Sequence, residues 1–401
     1  MKELFICINK KNKLLFLFIL ILGLNIYAFM TTNLTTSMGG YDADGRYYGA
    51  MAGSKVLHES FARKAPFCYR ILTPFLASIL PFDILVNFRI IAFISNILSL
   101  IVLYLILKKL NFNNQLIYFG ILLYAGVFWT LKFSYFSPAY TDYQTQLWLL
   151  LIIYFTISQN FILLLVALVA GVLQKESLLL YSLFSIFVFY KYRKRQVNFA
   201  LLMKLISLFI LPLTTIFIVK RVIVSDNSYN LLIFVGHMYQ LLYIKFYLPF
   251  FHSIFSGLGL ISIILIINYK RWIKFLAGKK EWIIYGMISL VYLFGGFDKS
   301  RLFLYLLPFS IILAVKSVEQ LQARSSEKNF LIGAGLFLFF HFYMGGYITP
   351  LGNFSTYLAK MVPFHSGQAY LPYLKRNILI ALVSFFSLYT IKQKFKDQGN
   401  K

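Results

Sequence analysis

Between Ile71 and Lys109 the chain reads ILTPFLASILPFDILVNFRIIAFISNILSLIVLYLILKK. A short apolar run, Ile71 to Pro81, is followed by a break at Asp83. A second run then extends from about Ile84 to Leu107 and closes at Lys108-Lys109. A helix rises 1.5 Å per residue, so crossing a hydrocarbon layer takes about 20 apolar residues. The second run meets that length and the first does not. The stretch is therefore either two spans or one short interfacial or re-entrant helix plus one span. Two spans would put Lys191, Arg193, Lys194 and Arg195 outside, together with Lys270, Arg271, Lys274, Lys279 and Lys280. One span places these clusters inside, with Lys108-Lys109 and the C-terminal Lys392, Lys394 and Lys396. Cytoplasmic loops carry the excess of Lys and Arg, so one span is expected.

Composition agrees with a chain that lives in lipid. Of 401 residues, 60% are hydrophobic and 13% charged, where a soluble domain carries about 25% charged residues. Mean hydropathy is +0.74. A soluble globular enzyme, a disordered chain and a coiled coil are excluded. Lys plus Arg number 39 against 13 Asp plus Glu, but the cations sit between apolar runs, where topology rather than nucleic acid explains them. Lys2, Lys10, Lys11 and Lys13 precede the apolar run Leu14 to Met30, which no small-residue cleavage pattern closes, so it reads as an uncleaved anchor. Further runs cover about 115–131, 143–158, 160–173, 177–190, 201–219, 246–268, 282–297, 302–316, 330–344 and 376–391. The expected fold is all-α: a polytopic membrane protein with about 12 transmembrane helices in a single integral membrane domain, residues 1–401. Residues 31–83 form a long first outer loop with short interfacial helices, and residues 345–375 a late outer loop. Both termini are expected in the cytoplasm, and Cys7 and Cys68 on opposite sides of the membrane.

With this topology Asp42, Asp44, Glu59, Asp142, Glu176, Asp226 and Asp298 fall on the outer side, with Asp83 near the same boundary. Only Glu3, Glu281, Glu319, Glu327 and Asp397 remain inside. Carboxylates beside apolar spans are costly, at about 2.5–3.5 kcal/mol in a helix centre, so a cluster at one end points to chemistry there. The outer side also carries cations that topology does not require: Arg46, Arg63, Lys64, Arg70, Lys132, Lys175, Lys220, Arg221, Lys245, Lys299, Arg301, Lys375 and Arg376. Cations beside carboxylates suit an anionic lipid substrate, with Arg favoured for phosphate.

Five local patterns carry this expectation. In Gly39-Gly40-Tyr41-Asp42-Ala43-Asp44-Gly45-Arg46-Tyr47-Tyr48, two acids precede a run of helical character. Asp44 suits a helix N-cap, and it also suits a general base. In Ala65-Pro66-Phe67-Cys68-Tyr69-Arg70-Ile71-Leu72-Thr73-Pro74, Arg70 heads the short apolar helix, where it binds a lipid phosphate or snorkels. Gln174-Lys175-Glu176-Ser177 is a very short turn between apolar runs, either solvated or buried. In Phe297-Asp298-Lys299-Ser300-Arg301 the acid and the Arg are three apart, so they pair with each other or jointly present Arg301 to a phosphate. Asp142, in Pro138-Ala139-Tyr140-Thr141-Asp142, either caps a helix or lines the cavity. His237, His252, His341 and His365 show no metal spacing. No phosphate-binding glycine loop or nucleophile elbow occurs, and no internal repeat of the transporter kind is visible.

Taken in order, Tyr41 to Tyr48, Tyr69 to Pro74, Lys175 to Ser177 and Asp298 to Arg301 resemble the bacterial GT-C superfamily of membrane glycosyltransferases. The adjacent acidic pair of the protein mannosyltransferases is replaced, since Ala43 separates Asp42 from Asp44, and no C-terminal periplasmic domain follows. The resemblance implies an inverting glycosyltransferase of the cytoplasmic (inner) membrane with its active site on the extracytoplasmic side, serving the cell envelope and cell-surface polysaccharide. It implies a polyprenyl-phosphate-linked sugar donor and a glycan or lipid-linked acceptor. Asp44 would be the catalytic base with Asp42 as runner-up. Arg70 and Arg301 would lie near the donor phosphate, and Glu176 near the sugar or acceptor. Arg46, Tyr48, Asp142, Lys175 and Asp298 complete the expected binding set. The displacement requires no cofactor; a divalent metal is compatible with it, but no residue pattern indicates one. A repeat-unit polymerase and a lipid or glycan transporter are the rival readings.

Overall fold

The computed structural model describes residues 10–193, 198–227, 247–293, 298–324, 327–348, 354–362 and 368–398. Cys7, Lys194, Arg195, His237, Lys245, Phe297 and His365 lie outside the described residues. The described residues are all-helical, without a strand. A helix stands at every long apolar run of the sequence: α1 (Lys10–Met30), α4 (Ile84–Lys109), α5 (Asn114–Gly126), α7 (Asp142–Ile157), α8 (Phe161–Gln174), α9 (Tyr181–Arg193), α10 (Phe199–Val222), α11 (Tyr247–Leu258) with α12 (Ile261–Ile267), α14 (Glu281–Tyr292), α16 (Leu307–Arg324), α17 (Glu327–Met344) and α19 (Leu371–Gln398). Between them lie the shorter α2 (Gly45–Met51), α3 (Leu72–Ile79), α6 (Leu131–Phe136), α13 (Tyr269–Gly278), α15 (Lys299–Leu302) and α18 (Phe354–Met361).

The Ile71–Lys109 stretch divides as its pattern suggests. Asp83 caps α4 by accepting the Leu85 N–H at 2.9 Å, which fixes the start of the long helix. With 8 residues, α3 rises only about 12 Å and is too short to cross. Among the described helices, α4, α10 and the Leu371–Tyr389 part of α19 are long and apolar enough to span a membrane. On α10, Phe199, Phe217 and Val222 are 64% to 76% exposed. Such an apolar exterior suits lipid rather than water.

Two runs expected as continuous spans are broken. Helices α11 and α12 meet at 103°, and the segment Lys299–Tyr305 meets α16 at 67°. The first bend occurs at Gly259, whose φ of +57° suits glycine. The run at 115–131 likewise ends at Gly126, and α6 resumes after a turn. His341 joins two of these breaks. Its Nδ1 accepts the Leu260 N–H at 3.2 Å, so its Nε2 carries the proton and donates to the Leu123 carbonyl at 2.8 Å. Backbone groups freed inside an apolar bundle must find such partners.

The main core runs through the bundle and is rich in rings, with Trp129, Trp282, Tyr124, Tyr181 and Tyr285 among its fully buried members. A second, smaller core positions the first loop. Tyr41, Tyr48, Ala52 and Leu57 pack there against Ala77 of α3, Phe88, Ile91 and Ala92 of α4, and Tyr143 of α7. This plants α2 and α3 on one end of the bundle. The clusters expected at the other end also meet: Lys191 of α9 pairs with Glu281 of α14.

Candidate functional site

The first loop separates its two acids. Ala43, at φ +37°, adopts a left-handed conformation that side chains other than glycine rarely take. Asp42 turns inward and is 1% exposed. The Ser137 hydroxyl donates to its Oδ1, and its Oδ2 is buried without a hydrogen-bond partner among the described residues. Asp44 turns toward the bundle's end. It precedes α2 at the N-cap position, but its side chain caps nothing. Instead Asp44 Oδ2 accepts a bond from Arg301 Nη1 at 2.8 Å, correcting the expected capping role. A guanidinium brings a full opposite charge to the carboxylate, which a backbone N–H does not.

Arg301 is the point where three patterns converge. Its Nε lies 3.5 Å from Asp142 Oδ2 and 4.0 Å from Asp298 Oδ2. That Nε is buried and makes no hydrogen bond among the described residues. Asp298 Oδ1 caps the short α15 by accepting the Arg301 backbone N–H at 3.2 Å. The Asp298–Arg301 pairing foreseen from their spacing is thus mainly to the backbone. The Arg301 guanidinium also sits over the Tyr140 ring at 5.1 Å, and the Tyr140 hydroxyl accepts the Asp44 N–H at 3.3 Å. Asp142 opens α7 rather than capping it, since Thr141 holds the N-cap position. Its other oxygen takes a bond from Lys175 Nζ at 3.1 Å.

The short turn at Lys175-Glu176 is a junction in which Gln174 and Lys175 are buried and Glu176 is partly exposed. Gln174 Oε1 accepts from Thr73 Oγ1 at 2.6 Å, and Gln174 Nε2 donates to the Thr141 carbonyl at 2.9 Å. These bonds lock the end of α8 to α3 and to the start of α7. Glu176 then grips Arg70 through two bonds of 3.2 Å each, Nε to Oε2 and Nη2 to Oε1. The remaining Arg70 nitrogen, Nη1, donates to the Tyr48 hydroxyl at 3.0 Å. Asp44, just before α2, and Tyr48, one turn into it, are four residues apart, so both arginines are tied to the start of that helix.

The structure therefore brings together Asp44, Tyr48, Arg70, Asp142, Lys175, Glu176, Asp298 and Arg301, from positions up to 257 residues apart. It does not bring in Arg46, whose Nη2 donates to the neighbouring Tyr47 hydroxyl at 2.8 Å and whose guanidinium lies over Phe61. Asp42 belongs to the layer beneath. Tyr140 and Ser137 were not singled out from the sequence. The polar string Ser134 to Asp142, between apolar runs, is the signal that marks them. Tyr305 bonds Ser177 at 2.9 Å and Tyr357 packs on Phe136 with ring centres 4.7 Å apart. Neither carries a sequence signal, because tyrosines are abundant throughout the chain.

Burial and pairing pull the titrations apart. Burial alone would raise the Glu176 carboxyl, but Arg70 outweighs it and holds the group below the ordinary carboxylate range. Asp298 keeps the opposite sign: burial pushes it up to about 7 although Arg301 opposes the shift. Asp42 rises to about 6, again through burial, against the Ser137 hydrogen bond. Carboxylates with well-separated proton affinities, at one partly open end of a bundle, form a candidate site for acid–base work beside an anion.

Among the described residues no group of three or more His, Cys, Asp or Glu side chains could hold a metal ion. The three aspartates around Arg301 face a guanidinium instead. No protein-family model matches the sequence, and no curated protein is significantly similar to it.

Proposed function

We propose that this protein is a membrane glycosyltransferase, GT-C-like in plan, that moves a sugar from a polyprenyl-phosphate donor to a glycan or lipid-linked acceptor at the outer face of the cytoplasmic membrane. In this reading the chain crosses about twelve times, with each bent pair and each short apolar helix counted as one crossing, and both termini are cytoplasmic. The single observation that carries the proposal is the contact of Asp44 Oδ2 with Arg301 Nη1 at 2.8 Å. It sets a carboxylate against a guanidinium whose Nε still lacks a hydrogen bond among the described residues. A donor phosphate would take that guanidinium and release the carboxylate.

The chemistry follows from those positions. An acceptor hydroxyl gives its proton to Asp44 while its oxygen attacks the anomeric carbon. The bond from that carbon to the phosphate oxygen breaks, and the electron pair leaves with the phosphate. Arg301 and Arg70 stabilise the leaving charge, each such donor being worth about 10²–10³ in rate. Attack opposite the leaving group inverts the anomeric centre. Glu176 holds Arg70 by two bonds, and Lys175 and Asp298 keep Asp142 and Arg301 in register.

The test compares masses of surface glycans and lipid-linked intermediates in cells lacking the protein, cells with it restored, and cells restored with Asp44→Asn. Loss of one sugar mass, rescued only by the native chain, is the expected result. Rescue by Asp44→Asn refutes the base assignment. Accumulated single repeat units with no missing sugar would make the protein a polymerase, and unchanged masses in every strain a transporter.

A further inference from the structure

At the end of the bundle away from the candidate site, α13 carries charge in an arrangement that topology alone does not require. It is a 10-residue helix with no buried residue, set between α12 and α14. By helical spacing Lys270, Arg271 and Lys274 occupy one arc, and Trp272, Ile273 and Leu276 the opposite one. Ile273 is 49% exposed, and Trp272 Nε1 is anchored to the Leu265 carbonyl at 2.8 Å. A short helix with one apolar and one cationic arc lies in the plane of the membrane interface.

The cationic arc lines a cavity of about 420 Å³ shared with Phe275 and with Lys316 and Glu319 of α16. Arg271 Nη1 reaches across to the Ser317 carbonyl at 2.7 Å, which fixes one wall. Lys316 is neutralised by Glu319. Lys270 and Lys274 pair with no carboxylate among the described residues. Cations on this side satisfy the topology rule wherever they stand; their convergence on one cavity is a separate fact.

We propose that this cavity binds the phosphate headgroup of an anionic lipid from the adjoining leaflet, with Lys270 and Lys274 contacting the phosphate and the exposed Ile273 of α13 resting in the acyl region. The site is independent of the glycosyltransferase reading. Anionic lipid is enriched in the cytoplasmic leaflet, and each nearby Lys or Arg adds to its attraction.

The experiment uses the purified full chain in neutral detergent, titrated with short-chain phosphatidylglycerol, short-chain phosphatidylcholine or inorganic phosphate, with bound molecules counted by native mass spectrometry. Phosphatidylglycerol is expected to bind well above phosphatidylcholine, and the double variant Lys270→Gln/Lys274→Gln to weaken it roughly tenfold or more. That variant keeps Arg271 and its bond to α16, so the fold is retained; an unchanged melting temperature checks this. Lys108→Gln/Lys109→Gln, at the end of α4, should leave binding unchanged. Equal loss in both variants would reduce the effect to diffuse surface charge and overturn the site. Equal binding of both lipids overturns it, and inorganic phosphate binding as tightly as phosphatidylglycerol overturns the lipid as its occupant.

Discussion

Replacing Arg301 by Gln tests whether the site is organised around that guanidinium. The side chain faces Asp44 at 2.8 Å, Asp142 at 3.5 Å and Asp298 at 4.0 Å. At an effective dielectric of about 20, these separations correspond to gross attractions of roughly 6, 5 and 4 kcal/mol. Desolvation of the partners offsets most of this, and removing one member of such a buried set costs about 3–5 kcal/mol. Lys175 still balances Asp142 at 3.1 Å, so the loss should fall on Asp44 and Asp298. At roughly 2 °C per kcal/mol for a chain of this size, Arg301→Gln should melt about 6–10 °C lower. Buried Trp129 and Trp282 give a fluorescence signal for unfolding in detergent. Adding Asp44→Asn removes the uncompensated charge nearest the gap and should recover on the order of 1–2 kcal/mol. An unchanged melting temperature in Arg301→Gln, or strict additivity with Asp44→Asn, would refute the network.

Three further outcomes are expected. Asp42 keeps its proton up to about pH 6 in the folded chain, while an unfolded Asp loses it near pH 4. The folded state therefore binds more protons between those values, and stability falls by roughly 3 kcal/mol as pH rises through them. Relative to the native chain, Asp42→Asn should lose that increment between melting curves at pH 4.5 and 7.5, since every other titrating group, Asp298 among them, is common to both chains. In the glycan assay Arg70→Gln should cut transfer at least about 100-fold, whereas Arg46→Gln, whose guanidinium stacks on Tyr47 and Phe61, should leave it within a few-fold; the reverse order would relocate the phosphate. Gly345→Ala should destabilise the bundle by about 3 kcal/mol or more in the fluorescence melt, because the new Cβ would meet the Gly126 carbonyl oxygen at 2.0 Å, backbone that no rotamer change can move.

The helices were legible because hydrophobic runs and their breaks are local properties. Asp83 marks the start of α4, and Lys108-Lys109 its end, directly in the letters. A buried role for Lys175-Glu176 was within reach as one of two readings, because so short a turn between two apolar runs leaves little room for solvation. The bends were not legible. Gly257 and Gly259 sit inside an uninterrupted apolar run, and only His341, 82 residues beyond Gly259, supplies the partner that makes a right-angled turn tolerable. The fate of Asp44 was open for a similar reason. The local pattern suits a cap or a base, and the partner that takes the side chain, Arg301, comes from the far end of the chain. For Arg46, its place in the acidic motif suggested a ligand contact, and the structure seats its guanidinium on the Tyr47 and Phe61 rings beside it.

The imidazole of His341 has a mechanical meaning. It bridges the break after α5 and the break between α11 and α12 with one rigid ring, accepting on one nitrogen and donating from the other. Two helix bends that would otherwise flex separately thus share a single pin. Loss of that ring would strand a polar backbone group at each bend, the Leu260 N–H at one and the Leu123 carbonyl at the other.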